Sequence, residues 1–107
     1  MNLKMIRGAP IRPEDAVRAK IIPEAMFDAF NEEIVENMES SGEARVTQLY
    51  VLSRFLAKEP SVTKEEVFQK KWLDVEDAYR AVGWKVEYHK PGRGDAWEAF
   101  FLFRRPS

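Results

Sequence analysis

From Ile22 onward the apolar positions recur at helical spacing, and after Gly83 they switch to strict alternation. The two periods, near 3.6 and 2, belong to an amphipathic helix and a half-buried strand. Phe27, Phe30, Ile34 and Met38 follow one another at +3, +4 and +4, which places them on one helical face. Pro23 suits the opening of that helix, because its missing N–H would be unpaired there anyway, and Glu24 complements the helix dipole. Ser40-Ser41-Gly42 supplies the stop, with Gly42 free to take a left-handed cap. Glu43 to Thr47 alternates Ala44 and Val46 against Arg45 and reads as a short strand. A second helix is expected over about Gln48 to Lys58, with Leu49, Leu52, Phe55 and Leu56 as its apolar stripe, and Pro60 ends it.

Thr63-Lys64-Glu65-Glu66 has the form of a capping box, in which the Thr63 hydroxyl takes the Glu66 amide and the Glu66 carboxylate returns to the Thr63 amide. The short helix it starts presents Val67 and Phe68. Asp74 then reads as a fresh N-cap for a helix burying Val75, Ala78, Tyr79 and Val82, closed by Gly83. The ending is the plainest signal. Trp84, Val86 and Tyr88 alternate with Lys85, Glu87 and His89; Pro91-Gly92-Arg93-Gly94-Asp95 makes a turn; Trp97, Ala99, Phe101 and Phe103 alternate with Glu98, Phe100, Leu102 and Arg104. This last strand is apolar on both faces at its centre. Either it lies between two neighbours, or Phe100 and Leu102 form an exposed apolar patch.

These elements predict an α+β fold of three to four helices with a small antiparallel sheet, made of the short strand and the C-terminal β-hairpin. Their order resembles the winged-helix arrangement, in which a short first strand joins a C-terminal hairpin. Residues 1–20, with two prolines and no clean period, read as a partly ordered basic arm, and 21–107 as a single domain. At 107 residues a second independent core has no room.

Composition narrows the setting. The 45% hydrophobic content can fill a core, which argues against disorder. Cysteine is absent, which excludes disulfide staples and thiolate metal sites and fits a reducing compartment. No apolar run reaches the roughly 18 residues of a membrane span, and MNLKMIRGAP lacks a signal-peptide stretch, so a cytoplasmic location is expected. The net charge of −1 hides an uneven distribution. Residues 1–20 carry five bases against two acids, 21–82 seven against thirteen, and 83–107 five against three, so both ends are basic and the middle acidic.

Candidate chemistry is sparse. There is no phosphate-binding glycine loop and no nucleophile elbow, and the single histidine, His89, lacks the companions of a zinc site. His89 has Glu87 two residues away on the same strand face, which would suit a general base, but a surface histidine fits the position as well. Asp74, Glu76 and Asp77 could offer oxygens to magnesium, yet they occupy a helix start, where carboxylates cap free amides. No cofactor is expected.

Two surfaces stand out. From Glu24 to Glu43 there are seven acids and no base, and Glu32, Glu36, Glu39 and Glu43 would share a face if the helix ran that far. Like charges at that spacing cost a few tenths of a kcal/mol per pair. The face is either simply solvated or a docking surface for a basic partner. The second surface is the hairpin, where Lys85, Lys90, Arg93, Arg104 and Arg105 interleave with Trp84, Tyr88 and Trp97 and could lie along phosphates. Against this, the helix before the hairpin begins Asp74-Val75-Glu76-Asp77, which a phosphate backbone would repel.

The segments Trp72-Leu73-Asp74-Val75-Glu76-Asp77-Ala78-Tyr79-Arg80 and Gly83-Trp84-Lys85-Val86-Glu87-Tyr88-His89-Lys90-Pro91-Gly92, with Ile22-Pro23-Glu24-Ala25-Met26-Phe27, Ala44-Arg45-Val46-Thr47-Gln48 and Glu66-Val67-Phe68, resemble small proteins of unassigned function from large tailed bacteriophages. The resemblance covers about residues 21–105 and implies a phage origin and a host-cell cytoplasmic setting. It carries no activity, cofactor or catalytic residue, and it breaks at Arg93-Gly94-Asp95. The expectation is therefore a non-enzymatic protein-binding module using Glu32, Glu36, Glu39, Phe100 and Leu102. The alternative is a winged-helix-like nucleic-acid binder using Lys85, Lys90, Arg93, Arg104 and Arg105. A homodimer joined along an open Phe100/Leu102 edge stays open.

Overall fold

The computed structural model describes residues 21–106; the expected basic arm at 1–20 lies outside them. Helix α1 spans Glu24–Asn37, strand β1 Glu43–Thr47, α2 Gln48–Lys58, α3 Lys64–Gln69, α4 Glu76–Ala81, β2 Lys85–His89 and β3 Phe100–Arg104. The fold is α+β, with four helices and one three-stranded antiparallel sheet among the described residues. No helix there is long and apolar enough to cross a membrane.

The sheet order is β1-β3-β2, so the last strand is the central one. This resolves the two-faced apolar pattern of β3. Phe101 and Phe103 point into the core and Phe100 and Leu102 to the other face, as the strand pleat requires. Hydrogen-bonded on both sides, β3 offers no open edge, so a homodimer seam along that strand's backbone is ruled out. Trp97 was expected inside this strand. It lies in the loop before it and is 43% exposed.

The core lies between the inner sheet face and the helices. Phe30 of α1 meets Phe101 edge-on at 5.0 Å, and Tyr79 of α4 meets Phe103 at 5.1 Å. Such edge-to-face geometry sets the positive rim of one ring against the negative face of the other. Phe30, Phe55, Phe101 and Phe103 are all but fully enclosed. Burying each removes the larger part of an aromatic surface from water, a gain of about 1.5–3 kcal/mol per side chain.

Several local expectations are corrected. Helix α1 stops at Asn37, short of the Ser40-Ser41-Gly42 signal. Asn37 Nδ2 donates to the Glu33 carbonyl at 2.8 Å, Met38 turns extended, and Met38 then bridges Ala44 of β1. Gly42, at φ +90°, closes the reversal by donating to the Glu39 carbonyl, a conformation that favours glycine. The face that α1 buries is Met26, Ala29, Phe30, Glu33 and Ile34, with Phe27 and Met38 only half-buried. In α2 the stripe is Val51, Leu52 and Phe55, and Leu49 is exposed.

Thr63 accepts from the Glu66 amide as the capping pattern predicts, at 3.1 Å. The Glu66 carboxylate, however, turns to Lys70 Nζ at 2.9 Å. Asp74 does not cap α4, whose first flanking residue is Val75 with no side-chain hydrogen bond. Val82, expected in the core, is 73% exposed, because the one-and-a-half-turn helix aims only Tyr79 inward.

Candidate functional site

The outer face of the sheet is built from three cross-strand rows. Thr47, Phe100 and His89 form one, Arg45, Leu102 and Glu87 the second, and Glu43, Arg104 and Lys85 the third. Antiparallel sheets commonly leave one face to solvent, and that face is ordinarily polar. Here the central strand puts two apolar residues, Phe100 and Leu102, in the middle of it, both half-buried.

Side chains from the two flanking strands and from the loop before β3 gather on Phe100. The Arg45 guanidinium lies 3.7 Å above the Phe100 ring, His89 stacks on the same ring at 5.0 Å and 22°, and Trp97 leans in at 5.8 Å. A cation over an aromatic face is favourable by about 0.5–1 kcal/mol at a surface. Below this cluster runs a chain of charges. Arg104 Nε donates to Glu43 at 2.8 Å, Arg104 also donates to Glu87 at 3.2 Å, and Glu87 Oε1 accepts from the His89 ring nitrogen at 3.0 Å. The hydrogen bond from His89, then the charge of Arg104, hold the Glu87 carboxyl below its ordinary range.

The five basic residues expected to read nucleic acid do not act alike. Arg104 is occupied by its two carboxylates, and Lys85 shares its row. Arg105 donates its amide to the Gly42 carbonyl and lays its side chain against that glycine. Lys90 and Arg93 sit in the exposed loop 90–99, without an ion pair among the described residues. That loop is held at its tip by Asp95, whose carboxylate accepts from the Gly92 amide at 2.9 Å.

The acidic candidates fare differently from expectation. Glu32 and Glu36 lie on α1, but Glu39 sits in the turn after it, and Glu43 belongs to β1, so no four-acid helix face forms. Nor is the charge left bare. Arg54 of α2 reaches Glu32 at 3.0 Å, Glu33 at 2.7 Å and Glu36 at 2.8 Å, and Lys58 reaches Glu32 at 2.6 Å. The hydrogen bond from Lys58, followed by that from Arg54, pulls the Glu32 carboxyl below its usual value. Glu33, read from sequence as one more surface acid, is only 5% exposed, and Arg54 pairs with it through both Nε and a terminal nitrogen. Sequence reasoning missed Arg54 and Lys58. Their i, i+4 spacing on one face of α2 was the available signal.

Asp74, Glu76 and Asp77 do not converge: Asp77 pairs with Arg80 at 3.1 Å, and among the described residues no three His, Cys, Asp or Glu side chains gather as metal ligands. No family model, no curated protein and no solved structure matches this chain.

Proposed function

We propose that this chain is a small, phage-encoded, non-enzymatic binding protein of the host cytoplasm that docks a protein partner on the outer face of its sheet. The observation that carries this reading is the pairing of Phe100 and Leu102 at the centre of a solvent-facing sheet with a polar rim. An apolar centre ringed by polar side chains is the anatomy of a protein interface, and aromatic and arginine side chains are its usual anchors. The rim leans positive by one charge: Arg45, Lys85, Lys90, Arg93 and Arg104 stand against Glu43, Glu87, Asp95 and Glu98, two of which Arg104 engages. The complementary partner is a protein surface with an apolar centre and carboxylates around it. The phage assignment rests on the sequence resemblance alone.

The test is affinity capture from bacterial lysate with substituted baits, each checked for native circular dichroism. A partner taken by the wild type should be lost with Phe100→Ser and with Leu102→Asp and retained with Glu36→Lys. Retention by both sheet variants would sink the proposal.

A second reading is favoured by one observation, the position of Lys90 and Arg93, without an ion pair among the described residues, on an exposed loop between β2 and β3. Together with the strand order β1-β3-β2 it supports a winged-helix-like nucleic-acid binder. Fluorescence polarisation with duplex and single-stranded DNA at two salt concentrations separates the two. Phosphate contacts demand binding that weakens steeply with salt.

A further inference from the structure

A separate pocket opens on the helix-covered side of the sheet, where the link between α3 and α4 passes the end of β2. Its volume is about 140 Å³. Val67, Leu73 and Phe101, all buried, make the floor, and two exposed aromatic rings, Phe68 at 47% and Tyr88 at 39%, stand at the mouth. The hydroxyl of Tyr88 donates to Gln48 Oε1 at 2.7 Å, which fixes that wall. Between the floor residues Val67 and Leu73 the chain reverses at Lys71, a non-glycine residue held at φ +57°. Backbone held in this sparsely populated region marks a segment whose surroundings dictate its shape.

The dimensions select an occupant. An apolar cavity of about 150 Å³ takes one benzene-sized group, so this pocket has room for one aromatic or branched aliphatic side chain. The rim selects its neighbour. Among the described residues, Asp74 and Glu76 border the mouth against the single ammonium of Lys71, so carboxylates outnumber cations there. Their field reaches the opening: burial, followed by the charges of Glu76 and Asp74, pushes the Tyr88 phenol upward. A positive charge just outside the pocket is therefore favoured and a negative one opposed.

We propose that this pocket receives one apolar side chain of a basic peptide segment from a partner protein, with a Lys or Arg next to the inserted residue. The site is independent of the outer sheet face: its aromatic mouth and carboxylate rim ask for the opposite charge from the one the sheet face asks for. An apolar and aromatic lining with a few placed polar groups is the usual make-up of a pocket that takes a ligand group.

The experiment is an amide NMR titration of the full chain with two probes, the capped tetrapeptides Gly-Phe-Lys-Gly and Gly-Phe-Glu-Gly. The lysine peptide should shift the amides of Lys71, Leu73 and Tyr88 saturably at low salt. It should bind about fivefold more tightly than the glutamate peptide, the ratio expected of exposed charge pairs. The preference should vanish in the Asp74→Asn/Glu76→Gln double variant, and Phe68→Ser, an exposed change that leaves the core intact, should weaken both peptides. Absence of saturable shifts at millimolar peptide, equal affinity for the two, or shifts confined to Phe100 and Leu102 would each overturn the proposal. Phenethylammonium binding as tightly as the lysine peptide would also overturn it, by assigning the pocket to a small cation. Failure here leaves the sheet-face reading untouched, since that rests on different residues.

Discussion

Replacing Tyr79 by phenylalanine removes one hydroxyl and leaves a ring that packs on Phe27, Phe30 and Phe103 at 5.9, 6.1 and 5.1 Å. That hydroxyl donates to Asn31 Oδ1 at 2.6 Å and lies 3.3 Å from the Phe27 carbonyl. Near neutral pH the loss should be about 1 kcal/mol, the net value of one internal hydrogen bond, because exposed Asn31 regains water. In a domain of this size that lowers Tm by roughly 4–8 °C. Alkaline pH reverses the comparison. Burial, with a smaller contribution from the charge of Asp28, pushes the phenol up to about 12 from its ordinary value of 10.0. A group whose pKa is raised by folding contributes stability that is fully present below the unfolded value and is lost as pH rises through the folded one. The window is therefore pH 10 to 12. Two units at full strength would be about 2.7 kcal/mol, and screening at the Asn31 side reduces this to about 1–2 kcal/mol. Urea unfolding of both proteins across the alkaline range measures the difference, in which the shared lysine titrations cancel. The wild-type advantage should shrink to zero or change sign as the phenol ionises. A difference that stays constant through this window would refute the buried-phenol account.

Three further outcomes are expected. Phe103→Ala, at a fully buried position on the central strand, should cost about 3–5 kcal/mol, read by chemical denaturation; a loss under about 2 kcal/mol would mean the site collapses around the cavity. Thr63→Ala should cost about 1 kcal/mol and speed hydrogen exchange at the amides of Glu66 and Val67, since the hydroxyl caps α3 alone, without the reciprocal Glu66 contact. His89→Ala should let the Glu87 carboxyl titrate closer to its ordinary value by carbon NMR. A depressed carboxyl stabilises above its unfolded pKa and loses that contribution as pH falls through the folded one, so the acid-side loss should be smaller in the variant and complete at a higher pH.

The kinds of element and their sequence were legible because they are local properties. The +3/+4 spacing around Phe30 and Ile34, the Thr63 cap and the alternation from Trp84 onward each depend on residues within a turn or two of one another. The capping box was half legible for the same reason: Thr63 and the Glu66 amide are fixed by helix geometry, whereas the Glu66 side chain had a choice and took Lys70. The end of α1 was misplaced because Met38 is captured by Ala44 of β1, a partner that no local rule supplies.

The site was legible in its residues and not in its setting. The apolar pattern at Phe100 and Leu102 required either two neighbouring strands or a patch, and alternation along one strand contains no information about which strand lies beside it. The order β1-β3-β2 decided for both, putting the pair mid-sheet and half-buried, with Arg45, His89 and Trp97 gathered on the Phe100 ring. The acidic stretch 24–43 likewise predicted a run of negative charge, but its meaning depended on α2, twenty-odd residues away, swinging Arg54 and Lys58 against it. What the sequence alone determined is which residues are apolar, charged or turn-forming and the periods they follow, because helix and strand geometry is set by the backbone at each residue. What the tertiary structure decided is which charges are neutralised and which apolar groups meet water, because those depend on distances between segments that only packing brings together.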